Sequence, residues 1–338
     1  MRKPVVLISG AAGEIGHALI DHLVEAGGRS IVTLDLRPLE PALTTKVSRA
    51  FTGSILDQAL LESIEAEFAI DRIFHLAALL STRSEFTPVA AHEVNVRGTL
   101  NLLELAASQA RSRNQNVVFF YPSSIAAYGV SSDAVMPETG WDECSHNQPI
   151  TMYGCNKLYC EHLGRYYAGH YRQLDAEPVG GKVDFRSIRF PGLISAHTVP
   201  SGGTSDYAPE MIHAAAQGEP YECFVRPDTR IPFMAMPDAV GAILGLMEAP
   251  RDSLTRSVYN VGAFAPSAGD FRSLVEDAFP SAAIGEAIDT KRQRIVDSWP
   301  DDVDCSAARR DWGLAPEYDL VRAFDEYLVP TIAALYQS

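Results

Sequence analysis

The sequence predicts an α/β fold, a doubly wound parallel sheet with a smaller, discontinuous C-terminal substrate-binding region. Three observations predict it. Strand-like and helix-like segments alternate through the first half. A G-x-x-G-x-x-G turn, Gly10 to Gly16, separates the first strand from the first helix. Beyond it, the stretch from Gly192 to Pro232 is irregular and rich in Gly, Pro and Ser.

The first strand is Val5-Val6-Leu7-Ile8, a wholly apolar run that suits a central parallel strand buried on both faces. Ile15, Leu19 and Leu23 then recur at helical spacing within residues 15–26. Residues 30–36 read as a second strand, 58–68 as a helix, 72–76 as a strand and 89–111 as a long helix. Residues 116–121 read as a strand and 153–171 as a helix. Such β-α-β alternation implies parallel strands with helices on both faces. In the second half, 223–225 and 258–261 read as strands, and 238–248, 268–279 and 320–335 as helices. The expected division is a dinucleotide-binding domain from residues 1–192 and 232–262, and a substrate-binding region from 193–231 and 263–338.

Composition narrows the function classes. A net charge of −15 argues against nucleic acid as a partner, because the backbone phosphates would be repelled. It does not exclude a dinucleotide, since helix N-termini and glycine turns hold phosphates without basic side chains. The five cysteines are odd in number and form no C-x-x-C pair, which favours reduced thiols and a cytoplasmic location. No stretch approaches the ~18 uninterrupted apolar residues of a membrane span, so no membrane partner is expected. No His/Cys/Asp/Glu cluster has metal-ligand spacing, so no metal is expected.

In the glycine turn, Gly10 allows the tight bend, Gly13 lets backbone approach a pyrophosphate, and Gly16 lets the helix meet the sheet. This is the dinucleotide-binding turn of a Rossmann fold. Asp35, at the end of the second strand, lies about 20 residues on, where a carboxylate bonds ribose hydroxyls and repels a 2′-phosphate. The cofactor is therefore expected to be NAD rather than NADP. Arg37 nearby could accept that phosphate, and a solvated loop acid is the plain alternative for Asp35.

Tyr153 and Lys157 stand four residues apart on one helix face. An ammonium beside a phenol favours the phenolate, lowering its pKa from ~10 towards neutrality, where it can serve as a base. Ser123 and Ser124 end the strand that precedes this helix, and either hydroxyl could hold the reacting oxygen; a turn or cap is the alternative role.

Together these residues resemble the extended short-chain dehydrogenase family. The matching pieces are the glycine turn, Asp35, His75-Leu76-Ala77-Ala78, Asn95-Val96-Arg97-Gly98-Thr99, Ser123-Ser124, Tyr153/Lys157 and Arg189-Phe190-Pro191-Gly192. The resemblance implies a catalytic set of Ser124, Tyr153 and Lys157. It implies cofactor contacts at Gly10, Ala12, Gly13, Glu14, Ile15, Gly16, Asp35, Ile55, Leu76, Ala77, Ala78, Asn95, Ser123, Tyr153, Lys157 and Pro191. His75 would support the cofactor loop through its backbone neighbours.

Within that family the second half resembles the short-chain L-threonine 3-dehydrogenases. It does so through Gly202-Gly203-Thr204-Ser205-Asp206-Tyr207, Pro232-Phe233-Met234-Ala235-Met236-Pro237-Asp238 and Arg292 to Pro300. That branch implies an amino-acid substrate held by Ser81, Ser123, Ser124, Tyr153, Gly203, Thr204, Ser205 and Trp299, with Thr204 on its carboxylate. It implies NAD-dependent oxidation of L-threonine to 2-amino-3-oxobutyrate, and a homodimer paired through the Asn95 and Tyr153 helices. The alternatives are a nucleotide-sugar 4-epimerase or dehydratase, and a catalytically silent dinucleotide-binding regulator. Three departures stand out: Ser54 where the family has Asp, Ser124 where threonine dehydrogenases often have Thr, and extra residues around Gln173 to Lys182. Met234 and Met236 could line a pocket or fill the core.

Overall fold

The computed structural model describes residues 4–175, 180–200 and 202–337; residues 176–179 of the extra segment lie outside the described residues. The strands are β1 (Pro4–Ser9), β2 (Ser30–Asp35), β3 (Arg49–Thr52), β4 (Ala69–His75), β5 (Val117–Ser124), β6 (Val183–Phe190), β7 (Gly192–Ile194), β8 (Tyr221–Cys223), β9 (Phe233–Ala235), β10 (Val258–Asn260) and β11 (Ile284–Glu286). Seven form one sheet in the order β10-β6-β5-β4-β1-β2-β3, every neighbouring pair parallel. The remaining strands pair as β8 with β11 and β7 with β9.

Strand order reverses between β1 and β4. Helices leaving the two strands diverge there, and the crevice at their C-terminal ends is where such sheets bind ligands. The predicted strands and helices of the first half are present with bounds moved by a few residues, while β3, which pairs at the edge with β2, and the short helix Ser81–Phe86 were not predicted. The predicted long helix is three pieces: Pro88–His92, a π-helical turn Glu93–Arg97, and Gly98–Arg113. The C-terminal helix is likewise broken by a π-helical turn, Ala323–Leu328.

Strand β6 has no counterpart in the predicted elements. It carries Asp184, Arg186 and Arg189, which interrupt any apolar run, yet all eight residues are buried. The charges are tolerated because they are paired: Arg186 bonds Asp184 at 2.6 Å, and Arg189 bonds Glu161 at 2.7 Å. A helix, Tyr207–Gln217, occupies the stretch read as irregular, and the expected strand at 223–225 is displaced to Tyr221–Cys223. One apolar core joins Val6, Ile8 and Phe120 of the sheet to Tyr207, Phe271 and Leu328 of the C-terminal region. The opposite sheet face has its own core around Leu7, Leu103 and Phe119. Among the described residues no helix is long and apolar enough to cross a membrane.

Candidate active site

The glycine turn follows β1. Gly10 has φ +74°, and a Cβ there would lie 2.5 Å from the Ala77 nitrogen, so only glycine lets the turn touch the segment after β4. A Cβ on Gly16 would lie 2.5 Å from the Ala11 oxygen. At Gly13 the surface is open: the nearest atom to an added Cβ is the Gly10 oxygen at 3.4 Å. Gly13 also caps the helix Glu14–Ala26 without a side chain. First-turn N–H groups of a helix have no intrahelical partner, and an uncapped, uncovered turn suits a pyrophosphate.

Asp35 ends β2 against this turn. Its carboxylate accepts from Ala12 N–H and Arg37 N–H, both at 2.9 Å, and Arg37 donates to the Ala12 oxygen at 2.6 Å. Ile55 is buried after β3, and Asn101 donates to its carbonyl at 3.0 Å. The Ser54 hydroxyl accepts from Leu56 N–H at 3.1 Å, within its own turn.

Behind β4 the polar groups are committed to the scaffold. His75 bonds Ser9 Oγ at 2.8 Å and Thr99 Oγ1 at 2.9 Å. Burial, then the Lys157 charge, pushes its pKa down to about 3, so the imidazole is neutral. Its support comes through the ring itself, not only through backbone neighbours. Asn95 sits in the π-helical turn and clamps Leu79, accepting from its N–H at 2.7 Å and donating to its oxygen at 3.0 Å. The Asn95 side chain therefore shapes the loop after β4 from behind.

Strand β5 delivers the two serines to different tasks. Ser123 donates to Glu161 Oε1 at 2.6 Å, and Glu161 takes a bidentate bond from Arg189 at 2.8 and 2.7 Å. The Ser123 hydroxyl is thus tied into a buried ion pair at the back of the cleft. Ser124 accepts from Ala126 N–H at 3.1 Å, and its hydroxyl lowers the pKa of the neighbouring Tyr153 phenol.

Tyr153 and Lys157 occupy the first turns of the helix Met152–Gly169, which Thr151 caps through Gly154 N–H at 3.0 Å. Lys157 Nζ donates to the Pro122 oxygen at 2.5 Å, and lies 4.7 Å from the Tyr121 ring centroid and 5.3 Å from that of Tyr153. Burial raises the Tyr153 pKa above its ordinary value, and the Ser124 bond lowers it in part. Burial also pushes Lys157 down to about 8, against the charges of Cys160 and Glu161. The downward phenol shift expected from lysine proximity is not found: burial raises the pKa, and the ammonium is turned towards Pro122.

A cleft of about 750 Å³ opens at this edge. Ser123, Ser124, Tyr153 and Lys157 line it with Glu14, Ile15, Leu76, Ala78 and Pro191 from the predicted cofactor set, and Ser81, Gly203, Ser205 and Trp299 from the predicted substrate set. Gly10, Ala12, Gly13, Gly16, Asp35, Ile55 and Ala77 lie along the turn and strand ends, off the cleft lining. Thr204 is also off it: it is buried, and donates to Ser81 Oγ at 3.4 Å. The reason is the turn Gly203–Asp206, closed by Gly203 N–H on the Asp206 carboxylate at 2.6 Å, which points Thr204 inward. Met236 lines the cleft, whereas Met234 is core. One cleft residue, Arg83, and the partners of a second, Glu14, escaped sequence reasoning. Arg83 lines the mouth and pairs with no carboxylate among the described residues. The Glu14 side chain bonds Ser195 and Thr198, distant partners that no local spacing signals.

The model of the NAD dependent epimerase/dehydratase family matches residues 6–262, and the chain belongs to that family, with the extended short-chain dehydrogenase fold. It is an NAD-dependent enzyme, and the turn, Asp35 and the open surface at Gly13 fit that cofactor. An uncharacterized epimerase/dehydratase of Staphylococcus haemolyticus is 36% identical over 317 residues, covering 93% of both chains. The L-threonine dehydrogenase of Clostridium difficile superposes with a TM-score of 0.85 at 32% identity, covering 100% of both chains. A monomeric L-threonine 3-dehydrogenase from a metagenome gives 0.84 at 34%, covering 98% of this chain and 100% of that one. Among the described residues no group of metal-binding side chains is present.

Proposed function

We propose that the enzyme oxidises L-threonine at its β-hydroxyl carbon to 2-amino-3-oxobutyrate. The observation that carries this reading is the full-length likeness to L-threonine dehydrogenases, with Ser124 and Tyr153 together lining the cleft. NAD, when bound, supplies the hydride acceptor for the β-carbon. Ser124 holds the β-oxygen, and Tyr153 Oη, as phenolate, takes the hydroxyl proton as the carbonyl forms. Lys157 stabilises that phenolate, and its bond to Pro122 sets the ammonium at the edge of β5. Arg83, Ser81, Ser205 and the backbone at Gly203 receive the carboxylate. Thr204 acts through Ser81, and buried Trp299 excludes water. The division into residues 1–192 with 232–262, and 193–231 with 263–338, serves as cofactor and substrate halves.

The reading extends to a cytoplasmic homodimer paired through the helices Gly98–Arg113 and Met152–Gly169. Tyr159 and Tyr166, 54% and 40% exposed on the latter, supply apolar surface for it, and sedimentation against the monomeric relative's behaviour tests it. The family's name and the staphylococcal relatives favour a second reading, a nucleotide-sugar 4-epimerase. Incubation with free NAD separates the two. Threonine should yield steady NADH, which an epimerase that keeps its cofactor does not release. Interconversion of UDP-sugars without NADH from threonine would overturn the first reading.

A further inference from the structure

The side chain of Glu14 joins two parts of the site that the chain separates widely. Glu14 is the first residue of the helix that follows the glycine turn, where a carboxylate complements the positive helix end. Its oxygens accept from Ser195 Oγ and, at 2.7 Å, from Thr198 Oγ1. Ser195 follows β7 and starts the segment 195–200, where Ser195, Thr198, Val199 and Pro200 line the cleft. Ser195 Oγ also accepts from His197 N–H at 3.0 Å and Thr198 N–H at 3.2 Å, which folds the segment on itself. Tyr327, from the C-terminal π-helical turn, accepts from Ala196 N–H at 3.1 Å and fixes the other side.

We propose that Glu14 is a positioning residue that couples the cofactor turn to the wall of the substrate cleft. The turn that faces the dinucleotide's phosphates through backbone carries, one residue on, the side chain that holds segment 195–200. Binding that stiffens the turn therefore stiffens the cleft wall, and by linkage a substrate that orders the wall tightens the cofactor equally. The inference rests on the NAD site and not on the identity of the substrate.

The donor-acceptor pattern makes this specific. Ser195 Oγ already accepts two N–H groups, which fills its lone pairs, so towards residue 14 it must donate. Thr198 Oγ1 accepts from no described group and can turn to accept. A glutamine at position 14 can thus accept from Ser195 with its oxygen and donate to Thr198 with its amide. An alanine can do neither, but keeps the backbone N–H of residue 14.

The test is hydrogen exchange of the backbone amides of residues 195–199, with and without NADH and with no substrate present, alongside the NADH dissociation constant from fluorescence. In the wild type NADH should slow exchange at least about fivefold, the low end of typical coupling. Glu14→Ala should exchange fast in both states while still binding NADH, and Glu14→Gln should restore the slowing. Thr198→Val, at an exposed position, should lose part of it, and serves if Glu14→Ala does not fold. Slowing that survives in Glu14→Ala, or its absence from the wild type, would overturn the coupling. Glutamine behaving like alanine would overturn the hydrogen-bond pattern on which it rests.

Discussion

The wall of the cleft behind Tyr153 and the wall facing it follow different rules. Behind it, His75, Asn95, Ser123, Lys157, Glu161 and Arg189 are all at most 2% exposed, and each is hydrogen-bonded to the scaffold. Across the cleft, Leu80 is 64% exposed and Phe86 81%, and Arg83 has no carboxylate partner among the described residues. A buried polar group is costly unless satisfied, so the rear wall tolerates one arrangement of its residues. The front wall can change side chains without unfolding anything, which is where specificity can vary. Damage to the rear wall should therefore appear in kcat and stability, and damage to the front in KM.

The sharpest test of that contrast is Tyr153→Phe. It should lower kcat by about 10²–10⁴ while NADH still binds, the usual contribution of a general base. A variant that keeps more than about a tenth of kcat would take the chemistry away from the rear wall on that same scale.

Next comes the buried pair. Glu161→Leu leaves the fully buried Arg189 guanidinium without its partner and frees Ser123. Removing one member of such a pair costs about 3–5 kcal/mol, to be read from urea unfolding. A loss below about 1 kcal/mol, the range of surface pairs, would show that the rear wall is softer than its hydrogen bonds imply.

On the front wall, Arg83→Ala should raise the threonine KM with kcat nearly kept. A hydrogen bond to a charged group is worth roughly 1.5–3 kcal/mol, which is about ten- to a hundredfold in KM. A fall in kcat at constant KM would break the comparison from the other side.

The smallest effect is in pH dependence. Oxidation needs the Tyr153 phenolate, so kcat/KM rises with pH. Burial raises that phenol, and loss of the Lys157 ammonium in Lys157→Ala makes the phenolate costlier still, so the rise should move to higher pH. Burial puts Lys157 itself at about 8, so its charge fades above that pH and the two profiles should converge there. Parallel profiles throughout would deny the ammonium its electrostatic role.

The legible parts of the molecule are those whose information is local. The apolar run of β1, the glycine turn and the four-residue step from Tyr153 to Lys157 each carry their meaning within one turn or strand. What was missed depends on partners far away. Strand β6 reads as polar until Glu161 is seen to neutralise Arg189 and the carbonyls of Leu246 and Ala249 to hold Arg186. Ser123 looks equivalent to Ser124 until Glu161, 38 residues on, claims its hydroxyl. Thr204 looks like a ligand because its turn is right, but the closing bond from Gly203 to Asp206 points it into the protein. The helix Tyr207–Gln217 hid behind Pro209, which is acceptable in a first turn, where its missing N–H has no partner to lose.

Both π-helical turns carry a side chain that holds a segment bordering the cleft, Asn95 at Leu79 and Tyr327 at Ala196. Each such turn holds one residue more than an α-helix can accommodate. Deleting that residue would restore the regular helix with the flanking turns in place, and would re-aim the side chains of the wide turn itself. The Asn95 amide would swing away from Leu79, and the Tyr327 hydroxyl from Ala196. A single-residue gap at either turn in a homologous chain is thus an evolutionary marker of a remodelled cleft, readable from an alignment alone.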